Sequence, residues 1–201
     1  MINQEIKRPE ISFHTAELSD ITEVLTLLKA YQINTIAEED KKDGFITADF
    51  TPDQMEALIT QEDGCFVAKD QGRIVAFALS ASWGFWSAWP IFQKMIEDLP
   101  SLTYQGYQLS IENSYQYGPV CVARDYRGTG VFQDLFAFAL QQMSTRYPVM
   151  LSFINTINER SYAAHITKLG LDVIQQFEFN GNTYHEMACL TQSVPEEGAL
   201  L

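Results

Sequence analysis

One stretch of this sequence has the residue types needed to grip a diphosphate: Val122-Ala123-Arg124-Asp125-Tyr126-Arg127-Gly128-Thr129-Gly130-Val131-Phe132. An apolar run ends, two glycines follow, and a long apolar-periodic segment opens. The first turn of a helix starting there leaves backbone N–H groups without intrahelical acceptors. The helix dipole adds positive potential at that end. Glycine lets the backbone approach a ligand closely, and Arg127 supplies a permanent charge. Together these suit a pyrophosphate. The same pattern also describes an ordinary tight strand-to-helix turn, and pattern alone does not separate the two. The rival nucleotide motifs G-x-G-x-x-G and G-K-[ST] do not occur.

A second cluster, Trp83-Gly84-Phe85-Trp86-Ser87-Ala88-Trp89, places three tryptophans in seven residues. Such a cluster could clasp an ammonium group through cation–π contacts, bury a dimer seam, or fill a core. The three cysteines, Cys65, Cys121 and Cys189, are scattered through apolar runs without a C-x-x-C. They read as buried, inert thiols rather than as a metal site or disulfide framework.

The elements that must position these groups follow from periodicity. A strand is expected over 11–16, then a helix with Ser19 as N-cap and Ile21, Val24, Leu25, Leu27, Leu28 and Tyr31 at helical spacing. Thr51-Pro52-Asp53 opens a second helix. Strands over 65–68 and 73–82 flank the turn Asp70-Gln71-Gly72. An aromatic-rich insert spans about 83–107 and contains a helix over 90–98. A strand over 115–122 is interrupted by Gly118-Pro119, which marks either a bulge or a strand that starts at Val120. A helix over 128–147, a strand over 149–154, a helix over 159–169 and a closing hairpin over 171–190 complete the order. This is a mixed α/β arrangement with helices packed on a sheet. The chain of 201 residues suits one domain, with a tail at about 192–201 expected to fray.

Hydrophobic residues make up 46% of the chain and charged residues 19%, with a net charge of −13. The composition is globular. The charge disfavours nucleic acid and anionic membranes as partners and favours cationic acceptors, although it also serves solubility. No apolar stretch is long enough to span a bilayer and the first residues lack a secretory core, so a cytoplasmic location is expected.

The segment Arg127-Gly128-Thr129-Gly130-Val131-Phe132, preceded by a hydrophobic strand ending at Val122, resembles the R/Q-x-x-G-x-G/A motif of the GNAT superfamily of N-acetyltransferases. Phe132 stands where that family usually has Gly or Ala. A second segment, Asn158 through His165 followed by Lys168-Leu169-Gly170-Leu171, is similar to the family's second cofactor segment. It lies about thirty residues on, in the expected order. The resemblance implies a central mixed sheet of six to seven strands flanked by helices, with a splayed, bulged strand pair. It also implies that acetyl-CoA is the acyl donor and that no metal is used. By position, Cys121 and Val122 would face the pantetheine arm, and Arg127, Gly128, Thr129, Gly130 and Val131 would surround the pyrophosphate. Asn158 would bond the arm, cap the following helix, or do both.

The resemblance further implies direct attack by an amine on the thioester. His165 occupies a position where the family commonly has a proton donor to the thiolate, and is otherwise a packing histidine. Glu112 is the nearest upstream carboxylate for a general base; Tyr115, Tyr117, a water chain and the less favoured His185 are alternatives. By the same analogy, the first helix near Tyr31 would supply an acceptor wall. The expected activity is acetyl transfer to a primary amine of a small cationic molecule. A protein amine and a non-catalytic acyl-CoA-binding module are the alternatives. Homodimers are common in the family.

Overall fold

A computed structural model describes residues 10–192 of the protein. The first nine residues and the expected tail beyond Gln192 lie outside the described residues. In chain order the elements are β1 (Ile11–Thr15), α1 (Ile21–Ala30), α2 (Pro52–Glu62), β2 (Cys65–Asp70), β3 (Arg73–Ala81), α3 (Trp83–Trp86) and α4 (Pro90–Asp98). A two-residue pair, β4 (Thr103–Tyr104) and β5 (Tyr107–Gln108), follows. Then come β6 (Ser114–Val122), α5 (Val131–Met143), β7 (Val149–Asn155), α6 (Glu159–Leu169), β8 (Asp172–Phe179) and β9 (Asn182–Leu190). Seven strands form one sheet in the order β1-β2-β3-β6-β7-β9-β8. All neighbours are antiparallel except β6 and β7.

Both faces of the sheet are covered, which explains the uninterrupted apolar run Cys65-Phe66-Val67-Ala68. Successive side chains point to opposite faces. Cys65, Val67, Phe77 and Leu79 join the core beneath α1–α4, while Phe66, Ala68, Ala76 and Ala78 join the core beneath α5. The helix α2 begins as expected: Thr51 accepts from the Gln54 amide at 3.2 Å and the Gln54 side chain accepts from the Thr51 amide at 2.9 Å. Such a box stabilises a helix start by about 1 kcal/mol. Gly64 lets β3 come close, because a Cβ there would stand 1.7 Å from the Ser80 carbonyl oxygen.

Two helix starts differ from expectation. Ser19 lies inside a 3-10 turn, Leu18–Asp20, and the entry is held by the Glu17 amide donating to the Asp20 carboxylate at 3.0 Å. The helix α5 begins at Val131, not Gly128, because Gly128 (φ +80°) and Gly130 (φ +98°) are left-handed and cannot be helical. It ends at Met143, short of the expected Tyr147.

The feature that matters for function is the junction of β6 and β7. Opposite β6, Ala78 faces Val120 and Ser80 faces Tyr117, so β6 carries one extra residue at Gly118-Pro119. This is a bulge; the strand starts at Ser114 and not at Val120. The two strands pair only over Ser114–Gln116 with Val149–Leu151. Beyond those residues they part, leaving a gap in the middle of the sheet.

The insert is anchored on the sheet. Trp83 donates its indole N–H to Ser114 at 3.0 Å, and the Ser82 hydroxyl donates to Glu62 at 2.7 Å. Trp83 and Trp86 are each 1% exposed. Burying roughly 150 Å² of each at about 25 cal/mol per Å² contributes about 4 kcal/mol apiece. The tryptophan cluster is therefore core, although one of its rings also reaches the gap.

Candidate active site

On the α5–α6 side of the gap lies a cleft of about 270 Å³. Its lining includes Cys121, Val122, Arg127, Gly128 and Phe132 from the β6–α5 segment, and Arg160, Ser161, Ala164, His165 and Lys168 from one face of α6. The loop between β6 and α5 is held rigidly. The Thr129 hydroxyl donates to the Tyr126 carbonyl at 2.6 Å, and the Tyr126 hydroxyl donates to Asp70 at 2.5 Å. Arg127 Nε donates to the Val122 carbonyl at 3.0 Å. The Arg124 amide donates to the Tyr31 hydroxyl at 2.7 Å, and the Arg127 guanidinium lies 4.8 Å from the Tyr31 ring centre.

The cleft's amides and charges fit a polyanion. Among the described residues, the amides of Gly128, Gly130, Val131, Phe132 and Gln133 have no hydrogen-bond acceptor in the protein. That is the orphaned first turn that anions fill. Three cations, Arg127, Arg160 and Lys168, line the cleft with no carboxylate among the lining residues, in a chain whose net charge is −13. Of the residues expected around a pyrophosphate, Arg127 and Gly128 line the cleft, as do Cys121 and Val122 for the arm. Thr129, Gly130 and Val131 do not line it. Thr129 is turned back onto Tyr126, Gly130 acts through its backbone as the N-cap of α5, and Val131 is buried in the core. Phe132, the departure from the family pattern, faces the cleft and meets the His165 ring at 5.3 Å.

On the other side of the gap, beneath the insert, is a second pocket of about 120 Å³. Trp86, Phe92, Phe153, Tyr184 and Phe45 wall it, and Gln116, Gly118 and Ser152 lie along the strands. Phe45, Ile46, Val120, Ser161 and His165 line both spaces, so the two clefts meet at those five residues.

His165 is 3% exposed, and its Nδ1 lies 2.8 Å from the Ser161 carbonyl. A carbonyl only accepts, so Nδ1 carries the proton. Burial pushes the imidazole down to about 4, which keeps the ring neutral near pH 7. Nε2 is then a lone-pair acceptor. The expected proton donor thus has its single N–H already engaged, and the geometry presents an acceptor instead. Glu112 lies in an exposed turn and lines neither cleft. The strand from Ser114 to the bulge at Gly118 alone spans about 13 Å at about 3.3 Å per residue, and it separates this turn from the gap.

Asn158 caps α6, accepting from the Ser161 amide at 3.3 Å, and donates to the Phe45 carbonyl at 3.2 Å. It lines the second pocket rather than the cationic cleft. Tyr31 lines the cationic cleft, not the acceptor side. Tyr115 and Tyr117 pack their rings on Tyr147 and Phe136 beneath α5, and burial raises both hydroxyls well above the usual phenol range. Both hydroxyls are therefore neutral at pH 7, and Tyr117 also lines the second pocket. His185 stacks on Tyr162 at 4.3 Å and lines neither space. Burial pushes all three thiols up to about 12, so none is a nucleophile at neutral pH.

Sequence reasoning missed Phe45, Ile46, Gln116 and Ser152, for which no local signal exists. It also missed Arg160 and Lys168, whose spacing with Ala164 at intervals of four on α6 was a usable signal.

A sequence-level family model described as "Acetyltransferase (GNAT) family" matches residues 27–171. No curated protein matches the chain at the sequence level. Solved structures with the same fold include the GNAT-family acetyltransferase from Streptococcus pneumoniae, with TM-score 0.60 and 15% identity, covering 90% of this chain and 99% of that one. YncA from Salmonella typhimurium, solved with its cofactor acetyl-CoA, has TM-score 0.59 and 13% identity, covering 94% and 99%. The ribosomal-protein-alanine N-acetyltransferase from Brucella melitensis has TM-score 0.58 and 15% identity, covering 89% and 99%. With the family model spanning well over half of its length, and the seven-stranded splayed sheet beneath it, the chain belongs to the GNAT acetyltransferase family.

Proposed function

We propose that the protein transfers an acetyl group from acetyl-CoA to the primary amine of a small molecule by direct attack. The observation that carries this is the meeting of the two clefts. A cationic, amide-lined space and a separate pocket open onto one another at Phe45, Ile46, Val120, Ser161 and His165. A protein that merely bound the donor would have no need of the second pocket.

Acetyl-CoA supplies an activated acetyl thioester. The free amides at the start of α5, with Arg127, Arg160 and Lys168, hold its diphosphate. The unpaired edge of β6 beyond Gln116 offers backbone groups to the amides of the arm. The acceptor enters from the insert side. His165 Nε2 accepts a hydrogen bond from the neutral amine, orienting its lone pair toward the gap; as the C–N bond forms the thioester C–S bond breaks, and the proton lost by nitrogen leaves on coenzyme A as its thiol. Cys121, the cysteine that lines the donor cleft, is buried with its thiol pushed up to about 12, which favours direct attack over a thiol-linked intermediate. The likeness to YncA, whose structure contains acetyl-CoA, supports the choice of donor.

The test is calorimetry with acetyl-CoA followed by thiol release with a panel of amines. Binding with amine-dependent thiol release is expected. Binding without thiol release from any amine would show a non-catalytic acyl-CoA module, and thiol release only with a protein amine would move the acceptor to a macromolecule.

A further inference from the structure

The pocket under the insert constrains which amine is acetylated. Its rings form a continuous chain: Trp86 to Phe92 at 4.7 Å, Phe92 to Phe153 at 5.5 Å, and Phe153 to Tyr184 at 5.5 Å. An apolar cavity of about 150 Å³ holds a benzene molecule, and this pocket of about 120 Å³ is on the scale of one ring.

No Asp, Glu, Lys or Arg lines it. Glu186, on the same face of β9 as Tyr184, does not line the pocket; its Oε2 accepts from Gln175 at 2.7 Å and its Oε1 is buried without a partner. Nothing in the lining therefore balances a second positive charge on the acceptor, and burying an unpaired ammonium is costly.

Three buried polar atoms of the lining residues have no partner: the hydroxyl of Tyr117, whose ring packs beneath α5, and, on the insert side, the indole N–H of Trp86 and Oε1 of Gln116, the last two residues each 1% exposed. Alternation along β6 puts Gln116 on the same face as Ser114, which takes the Trp83 indole N–H, so Gln116 faces the insert. The two atoms on the insert side are neutral and suit dipolar or N–H contacts of an acceptor rather than a second charge.

We infer that the acceptor is an arylalkylamine, a primary amine on a short arm from a single aromatic ring with no further charge, and that Gln116 is a specificity-determining residue. This inference rests on the acetyl-transfer proposal above. The aromatic ring packs against the wall made by Trp86, Phe92 and Phe153, and the amine reaches His165 at the junction of the clefts.

The experiment compares 2-phenylethylamine, 1,5-diaminopentane and a short peptide with a free amino terminus by thiol release from acetyl-CoA. The expected result is a kcat/KM for 2-phenylethylamine at least about tenfold above either rival. Gln116→Glu, nearly isosteric, places a carboxylate in the pocket. It is expected to narrow the ratio of phenylethylamine to diamine by about tenfold or more while leaving the acetyl-CoA Kd unchanged. A wild-type preference for the diamine or the peptide overturns the inference even if the variant does not fold, as does an unchanged ratio in a folded variant. Failure of acetyl-CoA to bind would sink the acetyl-transfer proposal itself. Normal binding with thiol release only from other amines would sink the arylalkylamine assignment alone, whereas normal binding with thiol release from no amine would sink both.

Discussion

The cleft on the α5–α6 side carries Arg127, Arg160, Lys168 and a row of free backbone amides, whereas the pocket on the insert side carries six Phe, Trp and Tyr rings and no Asp, Glu, Lys or Arg. The first holds its ligand by charge and main-chain N–H groups. Side-chain shape matters little there, and two short segments, the β6–α5 loop and one face of α6, supply its amides and charges. The second holds its ligand by shape. It draws its walls from the segment after α1, the insert, β6, β7 and β9, which are distant in sequence. The donor half is thus a local structure, while the acceptor half exists only when the whole sheet has formed.

That contrast predicts where substitutions act. The largest effect is expected from Gly130→Glu. A side chain at φ +98° is strained, and a carboxylate beside the orphan amides repels an anion. The acetyl-CoA Kd should rise by about a hundredfold or more by calorimetry, and wild-type affinity would break the assignment of the donor cleft.

His165→Ala, at the junction, should lower kcat by roughly ten- to a hundredfold with little change in acetyl-CoA Kd. The pH profile sharpens this. The neutral ring is the active form and its pKa is depressed to about 4, so protonation of His165 removes activity only as pH falls toward 4. No inflection near 6.5 should be assignable to it. The same shift makes stability fall as pH drops from about 6.5 toward 4, because the unfolded chain takes up the proton first.

Lys168→Ala should raise the acetyl-CoA Kd by about three- to fivefold at low salt, and less at high salt, since a partly screened charge is removed. The KM of the amine should not move; a shift in that KM would show that the two halves are not separate. Glu112→Ala should change neither rate nor stability by more than about 0.5 kcal/mol, being an exposed turn residue far from the gap.

The uneven legibility of the sequence has the same origin. The diphosphate loop was readable because its glycines, its arginine and the helix it opens are neighbours in the chain. The element order was readable because β2, β3, α4 and α6 each carry their own periodicity and turn residues; α4 and α6 begin and end where spacing places them. The start of α5 was misplaced because the left-handed glycines that serve the anion site also postpone the helix. Glu112 was chosen for its closeness in sequence, and an extended strand carries such a neighbour away at about 3.3 Å per residue.

The sequence by itself determined the sheet-and-helix order, the cationic loop and the family, since backbone dihedrals, helix caps and hydrophobic period are properties of short segments. Only the tertiary structure decided that His165 is a buried acceptor, that Tyr31 serves the donor side, and that Trp86, Phe92, Phe153 and Gln116 share a pocket. Burial and desolvation depend on what packs against a residue from elsewhere in the chain, and the gap between β6 and β7 arises from their pairing stopping at Gln116 and Leu151.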